Sequence, residues 1–391
     1  MLADTDAGSL ILSAQSGATW GYRLLLLQII LVPVLFMAQE LTLRLGLATG
    51  KGHGELIKEY FGSWSAWISV VTLVICCIGA LLTELSGLVA VGDLFGIAPG
   101  KTLVTVVSLL TLMIWTGSYR SIERIAICVG IFEIIFVLLA WLAHPGGTGW
   151  VYEMVDIPLG NTSYLYLVAG NIGAVLMPWM IFFQQSAVVD KGLKINHLRA
   201  ARWDTAMGAV LTQVIMASVL VLATVTLGQV NPNMPLQNIT EFSNAVIPKL
   251  GSFYGLTLFA LAMAGAAIVA TIVVSLTAAW GIGEMMGFRH SLSDHPKSAP
   301  WFYGSYIFIL ILCALLIYSN AKYLVALSVA IQVMNAILLP MVLMFLFLLA
   351  KRALPPQYAL KGWYSIFVGT VLCITSGFGL LAGCVGTFMS W

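Results

Sequence analysis

Long apolar stretches recur along the 391 residues of this chain, and they limit its fold more than any other feature. Each is roughly 18 to 28 residues long, which lets a helix cross a bilayer core about 30 Å thick. The bilayer core has no water to bond the backbone, and a helix is stable there because its own N–H and C=O groups bond one another. We place full spans at 23–44, 64–93, 102–119, 122–143, 204–228, 252–286, 301–319, 323–350 and 362–388.

The composition excludes a water-soluble fold. Hydrophobic residues make up 60% of the chain and charged residues 9%, whereas an ordinary soluble domain is about 25% charged. A soluble fold of this size could not cover so much apolar surface with so few polar residues. We therefore predict an all-α membrane protein that has the lipid bilayer as its partner and does not bind nucleic acid. The sequence does not indicate an oligomeric state.

Two further segments are apolar but interrupted. The segment 163–189 contains Gly173 and Pro178 near its centre, and the N-terminal segment begins with Asp6-Ala7-Gly8-Ser9 and becomes apolar only from Leu10. About five spans separate these two breaks. An interrupted pair at corresponding positions of two halves is the best sequence indication of a transporter site built on broken helices. The count is then ten spans plus an N-terminal fragment.

Lysine and arginine residues predict the orientation. With the first loop, around Tyr22, placed outside, the inside loops contain 14 of these residues and the outside loops contain 4. Cytoplasmic loops are enriched in Lys and Arg, so this bias supports both the span count and the orientation. We expect an integral protein of the bacterial plasma (inner) membrane.

Asp6 and Met177 are the leading candidates for chemistry. A carboxylate near the middle of a membrane costs about 2.5–3.5 kcal/mol, so it normally lines a pathway or pairs with a cation. The alternative for Asp6 is a solvated N-cap of the following helix. Met177 lies at the second break, where its soft sulfur favours transition metals over Mg²⁺; its alternative is ordinary packing.

Other polar residues inside the spans are candidates for a pathway or for interhelical hydrogen bonds. Glu84 and Glu133 are deep in their spans, and Gln332 and Asn335 place two amides near one face of a later span. We expect Glu40 to form a surface pair with its i+4 neighbour, Arg44. The six cysteines lack metal-ligand spacing and are expected to be buried. The chain has no P-loop and no nucleophile elbow, so we predict neither an ATP-driven pump nor an enzyme.

Several motifs resemble those of the Nramp divalent-metal transporters. Arg44 to Lys51, RLGLATGK, resembles the end of the family's second helix, and Asp6 to Ser9 resembles its first-helix DPGN motif. Ala174 to Trp179, AVLMPW, resembles the sixth-helix A-x-x-M-P-H motif, and Thr83 to Gly87 resembles part of the third helix. The spacing from Gln332 to Pro340 fits the tenth helix. The resemblance covers nearly the whole chain.

The resemblance implies a leucine-transporter-like fold with two inverted five-helix repeats and an eleventh helix. It divides a single domain, 1–388, into repeat one at 1–143, repeat two at 163–350 and an extra helix at 362–388. The first helix is expected to be present only as its second half.

The resemblance also implies a metal site between the broken first and sixth helices. Its ligands would be Asp6, Ser9, the Ala174 carbonyl and Met177. The divalent ion, Mg²⁺ or Mn²⁺, is then the transported substrate, and no cofactor is expected.

Departures from the motifs point to a branch of the family. Ala7 and Ser9 replace the family's Pro and Asn, Trp179 replaces a His associated with proton handling, and Gly87 replaces an acid. This pattern is similar to the Nramp-related magnesium transporters, which are described as uncoupled from protons. Loss of an ionisable His and an acid removes groups that exchange protons. A shorter Ser ligand leaves room for a hydrated ion, which suits Mg²⁺.

Three alternatives stay open. A proton-coupled Mn²⁺/Fe²⁺ transporter of the main Nramp branch would not lose Mn²⁺ uptake to millimolar Mg²⁺. An organic-solute transporter on the same fold would bind a carboxylate at its first break, which Asp6 would repel. The third is a membrane scaffold or receptor with a relict site, in which case Asp6→Ala would transport as well as the parent.

Overall fold

The computed structural model describes residues 4–116, 119–143, 149–230, 236, 238–250, 252–319 and 324–388. Every regular element in these residues is a helix. The first half of the chain contains eight α-helices: α1 Ala7–Trp20, α2 Leu25–Thr49, α3 His53–Leu94, α4 Pro99–Thr116, α5 Tyr119–Gly130, α6 Ile135–Leu142, α7 Trp150–Val155 and α8 Thr162–Val175.

The second half contains seven more. They are α9 Pro178–Asp190, α10 Leu198–Val230, α11 Ile239–Leu250, α12 Ser252–Met286, α13 Pro300–Ser319, α14 Leu324–Arg352 and α15 Gly362–Phe388. Short 3₁₀ segments lie at Gly21–Leu24, Ile131–Ile134 and Ile195–His197.

The helices identify an integral membrane protein. Within the described residues, nine helical stretches are long and apolar enough to cross a membrane, and α4 is a shorter apolar helix. The first of these stretches joins α1 to α2, and another joins α8 to α9. The most extensive helix contacts are those of α3 with α12, of α1 with α10, and of α14 with α8 and α15.

Two predicted spans differ in form. The third helix begins at His53 and not near residue 64, because a charged helical turn precedes the apolar run; it is capped by a hydrogen bond from the Gly52 amide to the Glu55 carboxylate (2.9 Å). The chain kinks after that turn at Gly62, whose φ of 84° favours glycine. The predicted span 122–143 is interrupted by the 3₁₀ segment that carries Glu133.

Hydrogen bonds between side chains and neighbouring loops show which helix connections lie at the same end of the helix bundle. We call the end that contains the α2–α3, α9–α10 and α12–α13 connections the basic end, since the sequence predicts most Lys and Arg there. At the other end, Arg23 forms an ion pair with Asp156 at 2.9 Å. Which end faces the cytoplasm stays a prediction from the sequence.

The predicted surface pair of Glu40 and Arg44 is wrong in one respect. Both side chains are buried, with 2% and 8% exposure. Glu40 also pairs with Arg202 of α10 (2.6 Å), and Arg44 donates to the carbonyl of Tyr358 (3.0 Å). The pair therefore ties α2 to two other elements at the basic end, which helical spacing alone does not reveal.

The six cysteines are all free. Cys76, Cys77 and Cys313 are buried, as predicted, but Cys128 and Cys373 are exposed. An exposed apolar side chain on a membrane-spanning helix faces lipid as readily as it packs inside. Hydropathy therefore predicted their apolar setting but not which face of the helix they occupy.

Candidate functional site

The first break lies at the start of α1, where Asp6 is the N-cap. The Asp6 side chain is fully buried, and its Oδ1 accepts a hydrogen bond from the Ser9 amide at 2.6 Å. Its Oδ2 has no hydrogen-bond partner among the described residues. Asp6 is thus an N-cap, as in the alternative interpretation of the sequence, but it is buried and not solvated, and one oxygen remains available.

Ser9 lies one turn into α1 and is fully buried. Its hydroxyl donates a hydrogen bond to the Asp6 carbonyl at 2.9 Å. A hydroxyl has one proton and two lone pairs. With the proton directed to Asp6, the lone pairs of the Ser9 oxygen remain able to face a cation.

The second break lies between α8 and α9. Leu176 and Met177 have non-helical backbone angles, and Pro178 is the first residue of α9. In a continuous helix the Ala174 carbonyl would accept from the amide four residues later, but that residue is Pro178, which has no N–H. The Ala174 carbonyl therefore lacks the hydrogen bond that it would accept in a continuous helix. The Met177 side chain at the break is buried, with 1% exposure.

Gln332 of α14 lies close to the residues that follow the first break and to the last turn of α8, which precedes the second break. A Cβ added to Gly8 would lie 2.7 Å from Gln332 Nε2, and one added to Gly173 would lie 1.9 Å from the Gln332 carbonyl oxygen. The helix ends next to the two breaks therefore approach the same residue. Asn335 Nδ2 donates to Gln332 Oε1 at 2.9 Å, and Asn335 Oδ1 is buried without a partner in the described residues. The two predicted amides thus lie beside the breaks.

Glu84 of α3 binds the backbone of α1 directly after the first break. Its carboxylate accepts from the Ala7 amide at 3.0 Å, the Gly8 amide at 3.4 Å and the Thr83 hydroxyl at 3.1 Å. Backbone N–H groups at a helix start are positively polarised and favour a carboxylate. Both Glu84 oxygens are therefore occupied, and the residue holds the start of α1 in place.

Trp179 is the second residue of α9 and is fully buried. Its indole Nε1 has no partner among the residues that the structure describes. The indole N–H is a donor only and does not exchange protons as an imidazole does. Trp179 therefore fills the space next to the second break without providing a titratable group.

Sequence reasoning missed Asp4 as a candidate. Asp4 is 1% exposed, and neither of its carboxylate oxygens has a hydrogen-bond partner in the described residues. Glu133, which the sequence did indicate as a deep acid, accepts from the Thr5 hydroxyl at 2.6 Å. The DTD spacing that puts one acid two residues before another is the signal that could have drawn attention to Asp4.

The chemistry of the site favours a cation. Asp6, Ser9 and Ala174 offer oxygen acceptors, and Met177 offers a thioether. Neither Asp6 nor Glu84 forms an ion pair with a Lys or Arg side chain in the described chain. Nor does any group of three or more His, Cys, Asp or Glu side chains, within those residues, have an arrangement that holds a metal ion. An ion here would rely on one carboxylate, neutral oxygens and sulfur.

Comparisons with known proteins identify the family to which the chain is similar. The family model for Nramp, described as natural resistance-associated macrophage protein-like, matches residues 1–382. The divalent metal cation transporter MntH of Klebsiella pneumoniae (strain 342) is 25% identical over 290 residues, which cover 72% of this chain and 69% of that protein. MntH of Mesorhizobium japonicum is 26% identical over 292 residues, covering 69% of this chain and 62% of that protein.

Solved structures share the fold. A manganese transporter of Eremococcus coleocola, solved with an aromatic bis-isothiourea substituted compound, superposes with a TM-score of 0.75 at 20% identity, covering 97% of this chain and 83% of that chain. MhsT in complex with L-phenylalanine superposes with a TM-score of 0.65 at 12% identity, covering 99% and 97%. The predicted leucine-transporter-like fold is confirmed by these matches.

Proposed function

The chain belongs to the Nramp family, and from this membership and the geometry of its two breaks we propose that it carries divalent metal ions across a membrane by alternating access. The observation that carries the proposal is the buried Asp6 carboxylate, which retains an oxygen without a partner among the described residues. A buried carboxylate without a cationic side chain is costly unless a cation binds it. The relatives named as divalent metal cation transporters and as a manganese transporter support the choice of substrate.

We assign the ion to a position between the two breaks. Its ligands are the Asp6 carboxylate, the Ser9 hydroxyl, the Ala174 carbonyl and the Met177 sulfur. The approach of Gly8 and Gly173 to Gln332 supports this assignment, because these glycines lie within about one helical turn of the two breaks. Gln332 and Asn335 then line the path of the ion, and Glu84 keeps the start of α1 in position.

We further propose that the substrates are Mg²⁺ and Mn²⁺. A neutral hydroxyl and a carbonyl around a single carboxylate leave space for water ligands, which Mg²⁺ gives up reluctantly. The thioether of Met177 does not follow from a preference for Mg²⁺, and we propose that it keeps Mn²⁺ transport possible, since Mn²⁺ is the softer of the two ions. Selectivity among divalent ions would then be weak at this site.

Transport is proposed to proceed without protons. Trp179 is a non-titratable residue beside the second break, and both oxygens of Glu84 accept hydrogen bonds from α1 and Thr83. The membrane potential alone suffices as a driving force, since each charge gains about 2.3 kcal/mol per 100 mV and a divalent ion gains about twice that. We place the basic end in the cytoplasm of a bacterial cell.

Reconstitution into liposomes tests the proposed function. Influx of Mg²⁺ and Mn²⁺ into vesicles containing the parent protein should exceed influx into protein-free vesicles, and Asp6→Ala should abolish the difference. Millimolar Mg²⁺ should inhibit Mn²⁺ influx. Equal influx through the parent and Asp6→Ala would exclude the assigned site, and a parent that moves neither ion would exclude divalent metal transport.

A further inference from the structure

At the basic end, α9 is fastened to α12 and α3 by hydrogen bonds centred on Glu284. The Glu284 side chain is buried, with 3% exposure. One of its oxygens accepts from the Ser186 hydroxyl of α9, and the other accepts from the Gly54 amide of α3 at 2.8 Å. We call Ser186, Glu284 and Gly54 the basic-end latch.

Glu284 occupies its position because residue 52 is a glycine and has no side chain. A Cβ added to Gly52 would lie 2.0 Å from Glu284 Oε1, and one added to Gly54 would lie 3.0 Å from Oε2. The carboxylate therefore packs directly on glycine backbone. Any side chain at position 52 would push the Glu284 carboxylate away while leaving its charge in the protein.

A second contact joins the same elements next to the latch. Gln185 Nε2 donates to the Lys51 carbonyl at 2.9 Å, and Gln185 Oε1 lies 2.9 Å from His53 Nδ1. His53 is fully buried at the start of α3, against the ring of Phe182. Of two consecutive residues of α9, Gln185 thus contacts the α2–α3 connection directly and Ser186 contacts it through Glu284.

Helix α9 connects the latch to the proposed ion site. It begins directly after Met177, and Ser186 lies nine residues further on, which is about 14 Å at 1.5 Å per residue. A rigid helix of this length transmits a displacement at one end to the other. None of the latch residues belongs to the proposed ligand set.

The latch also borders open space. A cavity of about 450 Å³ lies against it, lined in part by Ser186, Val189, Asp190 and Glu284. Glu284 has no ion pair with Lys or Arg in the described part of the chain. The hydrogen-bond donors to its carboxylate, Ser186 and Gly54, are neutral, and Arg289 and His290 also line the cavity, in which water would compete for the carboxylate.

From these contacts we propose that Glu284 is a positioning residue for transport: the basic-end latch holds α9 against α12 and α3, and each transport cycle requires the latch to open and re-form. This inference rests on the proposed function, since it assigns a step of alternating access to α9. Loss of the latch leaves the ion ligands in place but keeps the basic end from closing.

Transport kinetics and metal binding separate this role from a purely structural one. In liposomes, Glu284→Ala should lower the maximal Mn²⁺ influx about tenfold, a usual size for coupling between sites, while Mn²⁺ binding to the purified protein keeps its affinity. Glu284→Gln and Ser186→Ala should lower the influx less. Ser275→Ala removes another buried hydroxyl of α12, one without a partner among the described residues, and should leave influx unchanged.

Gly52→Ala tests the latch without removing the carboxylate. Its Cβ should displace Glu284 and lower the maximal influx as Glu284→Ala does. Gly304→Ala is the matched control, because a Cβ at this position in α13 has no atom within 4 Å. This pair keeps the test valid if Glu284→Ala does not fold.

A cysteine reporter measures the opening directly. Val189→Cys, in a background with Cys128 and Cys373 replaced by alanine, should react faster with a membrane-impermeant maleimide when Glu284→Ala or Gly52→Ala is added. Unchanged labelling together with parental influx would overturn the latch and leave the proposed function intact. An equal loss of metal affinity, folding and influx would also overturn it, in favour of a structural role. A parent protein without any metal influx would instead reject the proposed function.

Discussion

The two carboxylate oxygens of Asp6 have different surroundings. Oδ1 caps α1 through the Ser9 amide, and Oδ2 has no partner in the described residues. Asparagine caps a helix as well as aspartate does, but it has no charge for a metal ion. The capping role and the proposed ligand role of this residue are therefore separable by substitution.

We expect Asp6→Asn to fold normally and to lose divalent ion binding and influx by about a hundredfold or more, since it removes the only charged ligand of the proposed set. Isothermal titration with Mn²⁺ and thermal unfolding measure the two properties. Ser13→Ala, which removes a buried hydroxyl from the same helix, is the control. Parental affinity in Asp6→Asn would contradict the assignment.

Met177 differs from the other proposed ligands in its softness. We expect Met177→Ala to weaken Mn²⁺ binding about tenfold and Mg²⁺ binding by much less, because a thioether contributes little to a hard ion. Met180, buried to the same extent one turn further along α9, provides the control Met180→Ala. An equal effect on both ions would show that Met177 acts by packing.

At the residue scale, the sequence predicts what depends on chemistry and local spacing. Asp6 and Met177 stand out because an acid and a thioether occur at breaks, whereas the Ala174 carbonyl was indicated only by the resemblance to the Nramp motif. Contacts between distant helices were not predictable in this way. The setting of Glu284, packed on Gly52, depends on the approach of α12 to α3, which no local pattern encodes.

At the scale of elements, α8 and α14 approach so closely that a side chain cannot fit between them. A Cβ on Gly173 would meet the Gln332 carbonyl oxygen at 1.9 Å and the Ala336 amide at 2.7 Å. Both are backbone atoms, so the helices must separate to admit it. This contact is what keeps the second break next to Gln332.

We therefore expect Gly173→Ala to lower the free energy of unfolding by about 1–3 kcal/mol, the usual cost of overpacking, and to abolish ion influx. Thermal unfolding in detergent and liposome influx measure the two effects. Gly377→Ala in α15 adds a Cβ with no atom within 4 Å and should be neutral in both assays. A stable, active Gly173→Ala would contradict the close approach.

Hydropathy predicted that the membrane-spanning helices exist, but it predicted less well where each helix begins and ends. The start of α3 continues through Glu55 and Lys58, which hydropathy excludes from a span although they are compatible with a helix outside the lipid. The 3₁₀ segment around Glu133 lies inside a predicted span that is otherwise apolar from Ile125 onward. Periodicity and composition give no signal for such a local change of helix type.

At the scale of the whole molecule, the account predicts transport driven by the membrane potential and not by protons. In liposomes with a lumenal pH dye, Mn²⁺ influx should leave the lumenal pH unchanged. A lumen-negative potential should increase influx, because a divalent ion gains about 4.6 kcal/mol per 100 mV. Acidification in step with influx would favour the main, proton-coupled branch of the family.

The central claim is that one divalent ion binds where the two broken helices meet. Anomalous diffraction from crystals of the protein soaked in Mn²⁺ tests it most directly. The account predicts a manganese peak at about 2.0–2.6 Å from oxygen atoms of Asp6 and Ala174, with the Met177 sulfur also in contact. A manganese peak elsewhere in the bundle, with these residues remote from it or facing lipid, would contradict the account.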